Sequence, residues 1–159
     1  MKNPRPIYSA VFLDLTVADL DRVSAPFGGV ENLRGTLHAH HITLKFRPTA
    51  EEVLELGGIY GDKLREKACV LGSRVEVTLC GMVDRDGVQA LRAIPGYWES
   101  TNKVPHLTVA TDQGVKPFHS NAVLEQGWEP IQHIHVEGRL GVFMSDGTIA
   151  YTSEDVAGI

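Results

Sequence analysis

The chain has 159 residues, of which 43% are hydrophobic and 22% are charged, a composition typical of a globular domain with a sizeable core. We therefore expect a single domain over residues 1–159 and no membrane partner, because no apolar run approaches the roughly 20 residues that cross a bilayer. The formal net charge of −5 argues against non-specific binding of long nucleic acid, which requires many positive charges, but it allows a small nucleotide to be bound by a few local cations.

The first half of the chain predicts two strands, each followed by a helix. Residues 7–15 are rich in β-formers, and Thr16 is placed to cap a short helix after them, with an aspartate in the capping-box position. The second strand is expected over residues 38–46. A second helix begins at Thr49, has acidic residues in its first turn, and is closed by Gly57-Gly58.

The second half predicts mostly extended chain. Residues 84–87 read as a hairpin turn, and Ser120-Asn121 are expected to cap a helix over residues 121–126 that stops at Gly127. The expected strands are 69–71, 74–83, 88–94, 104–111, 133–144 and 148–153, with a loop starting at 95–98. Hairpins with few helices, rather than regular βαβ repeats, indicate an α+β fold with antiparallel sheet.

Two short segments in these strands share one pattern: His41-Ile42-Thr43-Leu44 and His106-Leu107-Thr108-Val109. Successive side chains of a strand point to opposite faces, so each segment places an imidazole and a hydroxyl on one face and apolar side chains on the other. A helix is predicted after each segment, which is a weak sign of duplication. The pattern predicts a cleft lined by paired acid and base groups.

Paired histidines suit the cleavage of a phosphodiester. One neutral imidazole can take the proton of an attacking hydroxyl or water, while a second, protonated imidazole donates to the departing oxygen. The threonine hydroxyls can donate hydrogen bonds to the non-bridging phosphate oxygens. We therefore predict His41, Thr43, His106 and Thr108 as the catalytic groups.

The two motifs resemble the paired His-x-Thr/Ser signatures of the 2H phosphoesterase (LigT-like) superfamily. The resemblance implies a bilobal, pseudo-twofold α+β fold, with antiparallel sheets around a central cleft. It also implies chemistry on cyclic or linear phosphodiesters without a metal or other cofactor. His40 departs from the pattern, because an apolar residue is usual there, and alternation would place its imidazole on the packing face.

A further segment, Gly114-Val115-Lys116-Pro117 to Ser120-Asn121, is similar to a stretch in one branch of this superfamily. That branch contains fungal tRNA-ligase cyclic phosphodiesterase domains and phage anti-CBASS nucleases, and the compact length resembles the phage enzymes. The resemblance implies hydrolysis of cyclic di- or trinucleotide signals. Cytoplasmic residence is the default expectation, because the sequence predicts neither an apolar signal core nor a membrane span, and it would be the host cytoplasm if the chain is phage-encoded. The alternatives are opening of a 2′,3′-cyclic phosphate at an RNA end and a module that sequesters nucleotides without cleaving them.

Four other residues are candidate substrate contacts. Lys45 shares the face of His41 and is expected to meet either phosphate or solvent. Tyr8 and Trp98 can stack on bases or pack in the core or a lid. Glu137 can read a base edge or face solvent.

A metal site is the competing chemistry. Five histidines offer His-x-His spacing of the kind that holds zinc or iron: His38, His40 and His41, with His133 and His135. A cupin-like barrel would need a carboxylate close by, but the next glutamate after His40 is Glu51. We therefore prefer paired acid–base histidines, with no metal ligands assigned.

Overall fold

The computed structural model describes residues 4–49, 52–53, 71–94, 100–152 and 155. The helices with both ends in this part of the chain are α1 (Val17–Ser24) and α2 (Ser120–Glu125), with short 3-10 helices at Ala25–Phe27, Val30–Asn32 and Pro117–His119. The strands are β1 (Pro6–Leu13), β2 (Thr36–Leu37), β3 (His41–Phe46), β4 (Arg74–Arg85), β5 (Val88–Ile94), β6 (His106–Thr111), β7 (Glu129–Met144) and β8 (Ile149–Ala150).

The strands form one antiparallel sheet in the order β2-β6-β5-β4-β7-β1-β3, with β8 paired to β7. The chain therefore has the α+β class that the sequence predicts. The two longest strands, β4 and β7, pair with each other in the middle of this order. The strands with the two histidine motifs, β3 and β6, each lie two places outward from that central pair.

The sheet is strongly curled, because β2 and β3 lie at its opposite ends although only residues 38–40 separate them in the chain. A connection that short spans no more than about 14 Å between Leu37 and His41, even fully extended. The two ends of the sheet must therefore approach each other. This brings β3 and β6 to opposite walls of one cleft.

Backbone hydrogen bonds fix the approach of the two ends. The amides of His38 and Ala39 donate to the carbonyls of Val109 and Thr108 in β6, at 2.8 and 2.9 Å. At the next residue the chain has reached the other end of the sheet, where the carbonyl of His40 accepts from the amide of Leu13 at 2.9 Å. Residues 38–40 thus tie the β6 end of the sheet to the β1 end.

The apolar residues of both motifs pack in the core, as alternation predicts. Ile42, Leu44, Leu107 and Val109 are all between 0 and 1% exposed, and they belong to the main apolar cluster inside the curled sheet. Burial of each such side chain contributes roughly 1.5–3 kcal/mol. The core thereby fixes the face on which the histidines and threonines emerge.

Several predicted elements are confirmed. Thr16 caps α1, and its hydroxyl and the Asp19 carboxylate form the predicted capping box. Thr49 makes a similar reciprocal pair with Glu52, and residues 52–53 are helical. The hairpin turn joins β4 and β5 at Asp86-Gly87, where both φ angles are positive, as a type I′ turn requires.

Other predictions need correction. The strand expected over 38–46 is broken, because Ala39 has a φ of +53° and only residues 41–46 continue along β1. The 104–111 strand begins at His106, and the last strand is limited to Ile149–Ala150. β7 is longer than predicted and starts at Glu129. Leu71 lies in a turn rather than in extended chain.

Some predictions concern residues outside the ranges that the structure describes. The remainder of the helix after Thr49 with its Gly57-Gly58 end, the extended residues 69–70 and the loop at 95–98 lie outside the described residues. Neither α1 nor α2, nor any other helix in the described ranges, has the length and apolar character that crossing a bilayer requires.

The two turn glycines Gly87 and Gly147 give a matched stability test. Both residues have a positive φ angle, +80° at Gly87 and +87° at Gly147. An added Cβ would lie 2.9 Å from the Val115 Cγ2 at Gly87, but at Gly147 it would have no neighbour within 4 Å. We expect Gly147→Ala to lower the free energy of unfolding by about 1 kcal/mol from backbone strain alone. Gly87→Ala should lower it by about 2 kcal/mol or more, because Val115 must also move. Urea unfolding measures both values, and equal losses would contradict the contact.

Candidate active site

Both histidine motifs line one cavity of about 580 Å³ between β3 and β6. The four predicted catalytic side chains His41, Thr43, His106 and Thr108 all reach it. The other described residues of the lining are Tyr8, His38, His40, Phe46, Asn102, Pro117, Phe118 and Asn121. The lining is therefore made of imidazoles, hydroxyls, amides and aromatic rings.

His41 is held between an aromatic ring and a second imidazole. Its ring lies 4.8 Å from the Tyr8 ring, centroid to centroid, at an interplanar angle of 23°. Its Nδ1 lies 2.5 Å from the Nδ1 of His40. Burial, and then the neighbouring imidazoles of His40, His106 and His38, lower the pKa of His41 to about 3. His41 is therefore neutral at neutral pH and suited to accept a proton.

His106 is fixed by a backbone contact instead. Its side chain lies almost wholly inside the protein, at 7% exposure, and its Nδ1 lies 2.7 Å from the carbonyl oxygen of Val104. Because a carbonyl only accepts, Nδ1 carries the proton and donates it, which leaves Nε2 as the free nitrogen. Burial lowers the pKa of His106, and the bond to Val104 opposes that shift in part.

Thr108 has a buried hydroxyl partner. Its Oγ1 lies 2.9 Å from the Oγ of Ser120, which is 0% exposed, and 3.4 Å from the carbonyl oxygen of Pro117. When Ser120 donates to Thr108, the threonine proton is directed to the carbonyl of Pro117 through the longer of the two contacts, which a ligand oxygen can replace. The sequence prediction that Ser120 caps α2 is wrong, since the helix has His119 at its N-cap and no side-chain cap.

Thr43 is anchored through its backbone. Its carbonyl accepts from the Ser100 hydroxyl at 2.7 Å, and the next carbonyl along β3, that of Leu44, accepts from the amide and hydroxyl of Thr101. Residues 100–101 thus cover the outer edge of β3 before the chain enters β6. Asn102, which follows them, reaches the cavity.

The expectation that His40 lies on the packing face is wrong. His40 is exposed and lines the cleft beside His41, because the positive φ of Ala39 interrupts the alternation before β3 begins. His38 also lines the cleft, and its Nε2 lies 3.0 Å from the Thr111 hydroxyl. Within the described ranges no three or more histidine, cysteine, aspartate or glutamate side chains converge as metal ligands would.

Of the three candidate substrate contacts among the described residues, one lies in the cleft. Tyr8 lines it but packs on His41, and burial raises the pKa of its hydroxyl. Lys45 forms an ion pair with Glu52. Glu137 lies on an exposed face of β7 in a different cavity, of about 560 Å³. Trp98 lies outside the described residues.

Residues that the sequence reasoning did not assign form the rim. The side chains of Phe118 and Phe46 are 75% and 60% exposed although both line the cavity. Part of this rim lies in the Pro117 to Asn121 segment, which the sequence analysis connects with the superfamily but not with a contact to substrate. Phe46 carried no signal, because a single phenylalanine at a strand end is an ordinary core residue.

Comparisons with known proteins show the family and the fold of the chain. A family model described as the fungal tRNA ligase phosphodiesterase domain matches residues 39–143, a range that contains both histidine motifs. No curated protein matches the chain.

One solved structure, a crystal structure of a fungal RNA kinase, superposes with a TM-score of 0.54 at 12% sequence identity. The match covers 96% of this chain and 47% of that one, so the chain spans about half the length of that structure. At this identity the likeness concerns the fold alone. Because the family match covers well over half of the residues, the chain belongs to the fungal tRNA ligase phosphodiesterase domain family and is a phosphodiesterase of the 2H superfamily.

Proposed function

We propose that the chain hydrolyses phosphodiesters of small nucleotides without a metal, and that its central step is the opening of a 2′,3′-cyclic phosphate by water. One observation carries the proposal: the two imidazoles and two hydroxyls of the paired motifs line a single cavity although His41 and His106 are 65 positions apart in the sequence. Acid–base catalysis of this kind needs its two groups at one phosphate. Each group typically contributes roughly 10²–10⁴ in rate.

The contacts of the two histidines suggest which role each takes. Burial, and then the neighbouring imidazoles, lower the pKa of His41 to about 3, so its ring is neutral at neutral pH. We assign it as the base that deprotonates water. His106 has a carbonyl bonded to Nδ1, which favours its protonated form, and we assign it as the acid that protonates the departing oxygen through Nε2. Thr43 and Thr108 donate to the non-bridging oxygens.

Cyclic oligonucleotides are the second candidate substrate. There the 2′-hydroxyl of the substrate attacks the adjacent phosphorus, which gives a 2′,3′-cyclic phosphate that water then opens with the histidine roles exchanged. Two features favour a small ligand over long RNA: the net charge of −5 and a cavity of about 580 Å³, within the usual range of small-molecule sites. The exposed rings of Phe46 and Phe118 at the rim are suited to stack on bases.

We also infer a pseudo-twofold relation between the two halves of the sheet. In the register of β1 with β3, Ala10 lies opposite Thr43, next to an irregularity at Ser9/Ala10. In the register of β5 with β6, Ala90 lies opposite Thr108, next to an irregularity at Gln89/Ala90. The same local arrangement at both motifs supports this relation, within one domain over residues 1–159.

The proposal is tested with a panel of 2′,3′-cyclic mononucleotides and cyclic di- and trinucleotides in EDTA, with products identified by mass spectrometry. We expect turnover of at least one class in EDTA, and a loss of about 10²-fold or more in both His41→Ala and His106→Ala. His133→Ala, on the exposed face of β7, is the matched control and should keep full activity.

Three outcomes would contradict this proposal. Turnover that EDTA abolishes and zinc restores would indicate a metal site. Tight binding of a nucleotide that stays intact would indicate a sequestering module. Full activity in either histidine variant would remove that residue from the reaction.

The assignment of His106 as the acid predicts an alkaline decline in kcat/KM. An acid works only when protonated, so kcat/KM falls as pH rises through the pKa of the free protein's His106. Because burial lowers that pKa from 6.5, the decline should begin below pH 6.5 and approach tenfold per pH unit. Initial rates from pH 5 to 8 measure it. A profile that rises between pH 6 and 8 would exclude this assignment.

Ser120 should support the reaction through Thr108. Removing its hydroxyl in Ser120→Ala takes away the partner of Thr108, and we expect kcat/KM to fall by about tenfold, the equivalent of one lost hydrogen bond of about 1.4 kcal/mol. Ser24→Ala is the control, because Ser24 is also 0% exposed but bonds a carbonyl in α1, far from the cleft. Equal losses in the two variants would mean that Ser120 acts on stability alone.

A further inference from the structure

The two motif histidines differ in what holds their Nδ1 atoms. For His106 the partner is the Val104 carbonyl, which can only accept, so the ring has one neutral tautomer. For His41 the partner is the Nδ1 of His40, a nitrogen that can either accept or donate. The tautomer of His41 therefore depends on the state of His40.

The geometry of the two rings fits a hydrogen bond between the nitrogens. The centroids lie 4.5 Å apart and the planes differ by 23°, while Nδ1 and Nδ1 are 2.5 Å apart. The centroid distance is close to the sum of the nitrogen–nitrogen distance and the two ring radii. The rings thus lie edge to edge and nearly coplanar, with the two nitrogens facing each other, rather than face to face.

One proton lies between two facing imidazole nitrogens, and its position decides what His41 can do. If it is on Nδ1 of His41, neutral His40 accepts it, and Nε2 of His41 has a free lone pair and can act as a base. If it is on His40, then Nδ1 of His41 accepts, and Nε2 of His41 must carry the ring proton. In that form His41 cannot take a proton from water.

We propose that His40 is a positioning residue that sets the tautomer of His41 and receives its displaced proton. The inference rests on the proposed function, in which His41 is the base. When Nε2 of His41 takes a proton from the attacking water, the proton on its Nδ1 moves to Nδ1 of His40. His41 is then neutral again, with its proton on Nε2, and the positive charge lies on His40, where water can solvate it because the side chain is exposed. The starting state returns when Nδ1 of His40 gives its proton back to Nδ1 of His41 and Nε2 of His41 releases the proton that came from the attacking water.

In this arrangement, protonation of His40 lowers the activity as the pH falls. Below the pKa of His40 its imidazolium carries a proton on both nitrogens, so it can only donate to His41 and blocks the base form. The other titratable groups facing the pair are His38 beside His40, at 6.2 Å between ring centroids, Tyr8 on His41, and His106 across the cleft. Partial desolvation of the ring at the cleft wall, and then the charge on His38, lower the pKa of His40, so the block sets in on the acid side of neutrality.

Two variants of His40 separate its roles. Asparagine keeps an oxygen near the position of Nδ1 that accepts from His41 but cannot be protonated, while leucine offers no polar atom. We expect His40→Asn to keep the Nδ1–H tautomer of His41 and to lose the acid decline of kcat/KM. We expect His40→Leu to lose both the tautomer preference and about tenfold or more in kcat/KM at neutral pH. His133→Asn, outside the cleft, should change neither quantity.

The measurements are ¹⁵N–¹H correlation spectra of the imidazoles, which report the tautomer of His41 without any substrate, and pH profiles of 2′,3′-cyclic nucleotide hydrolysis. Thermal unfolding confirms that each variant is folded. An unchanged His41 tautomer in folded His40→Leu, or an acid decline that persists in His40→Asn, would overturn the role of His40. If the wild-type chain turns over no substrate while the spectra change as expected, the proposed function fails and the contact between the two imidazoles stands.

Discussion

The architecture of this protein depends on a short connecting segment, residues 38–40, between β2 and β3. Residues 38–40 leave one end of the sheet and join the other, bonded by backbone amides to β6. Because a chain of this length cannot reach far, the sheet has to curl until β3 and β6 form the two walls of one cleft. That closure brings the histidines and threonines of the two motifs to one cavity.

The motifs themselves could be predicted from local pattern. Alternation of apolar and polar residues correctly placed Ile42 and Leu107 in the core and the histidines and threonines on the other face, because core burial outweighs other influences within a regular strand. The capping box of α1 was equally predictable, since it involves residues three apart. The single-domain extent and the catalytic roles stay predictions.

Prediction from the sequence failed where a residue departs from regular backbone geometry, or where its contact partner is distant along the chain. Nothing in Ala39 indicates a positive φ, which is unusual for alanine, so His40 was assigned to the wrong face. Ser120 was read as a cap because serine is common there, but its hydroxyl meets Thr108 from a segment twelve residues away. Glu137 shares a face with other polar residues, yet the curl of the sheet carries that face away from the histidine cleft.

The protonation states of His41 and His106 have a consequence for the release of product from the cleft. With the pKa values of His41 and His106 both lowered, the free cleft carries little positive charge at neutral pH. In the proposed reaction, ring opening turns a singly charged diester into a monoester that bears a further negative charge. Once the transferred protons return to solvent, that anion faces neutral rings and hydroxyls with no counter-charge from either imidazole, which weakens its retention and favours rapid release of product.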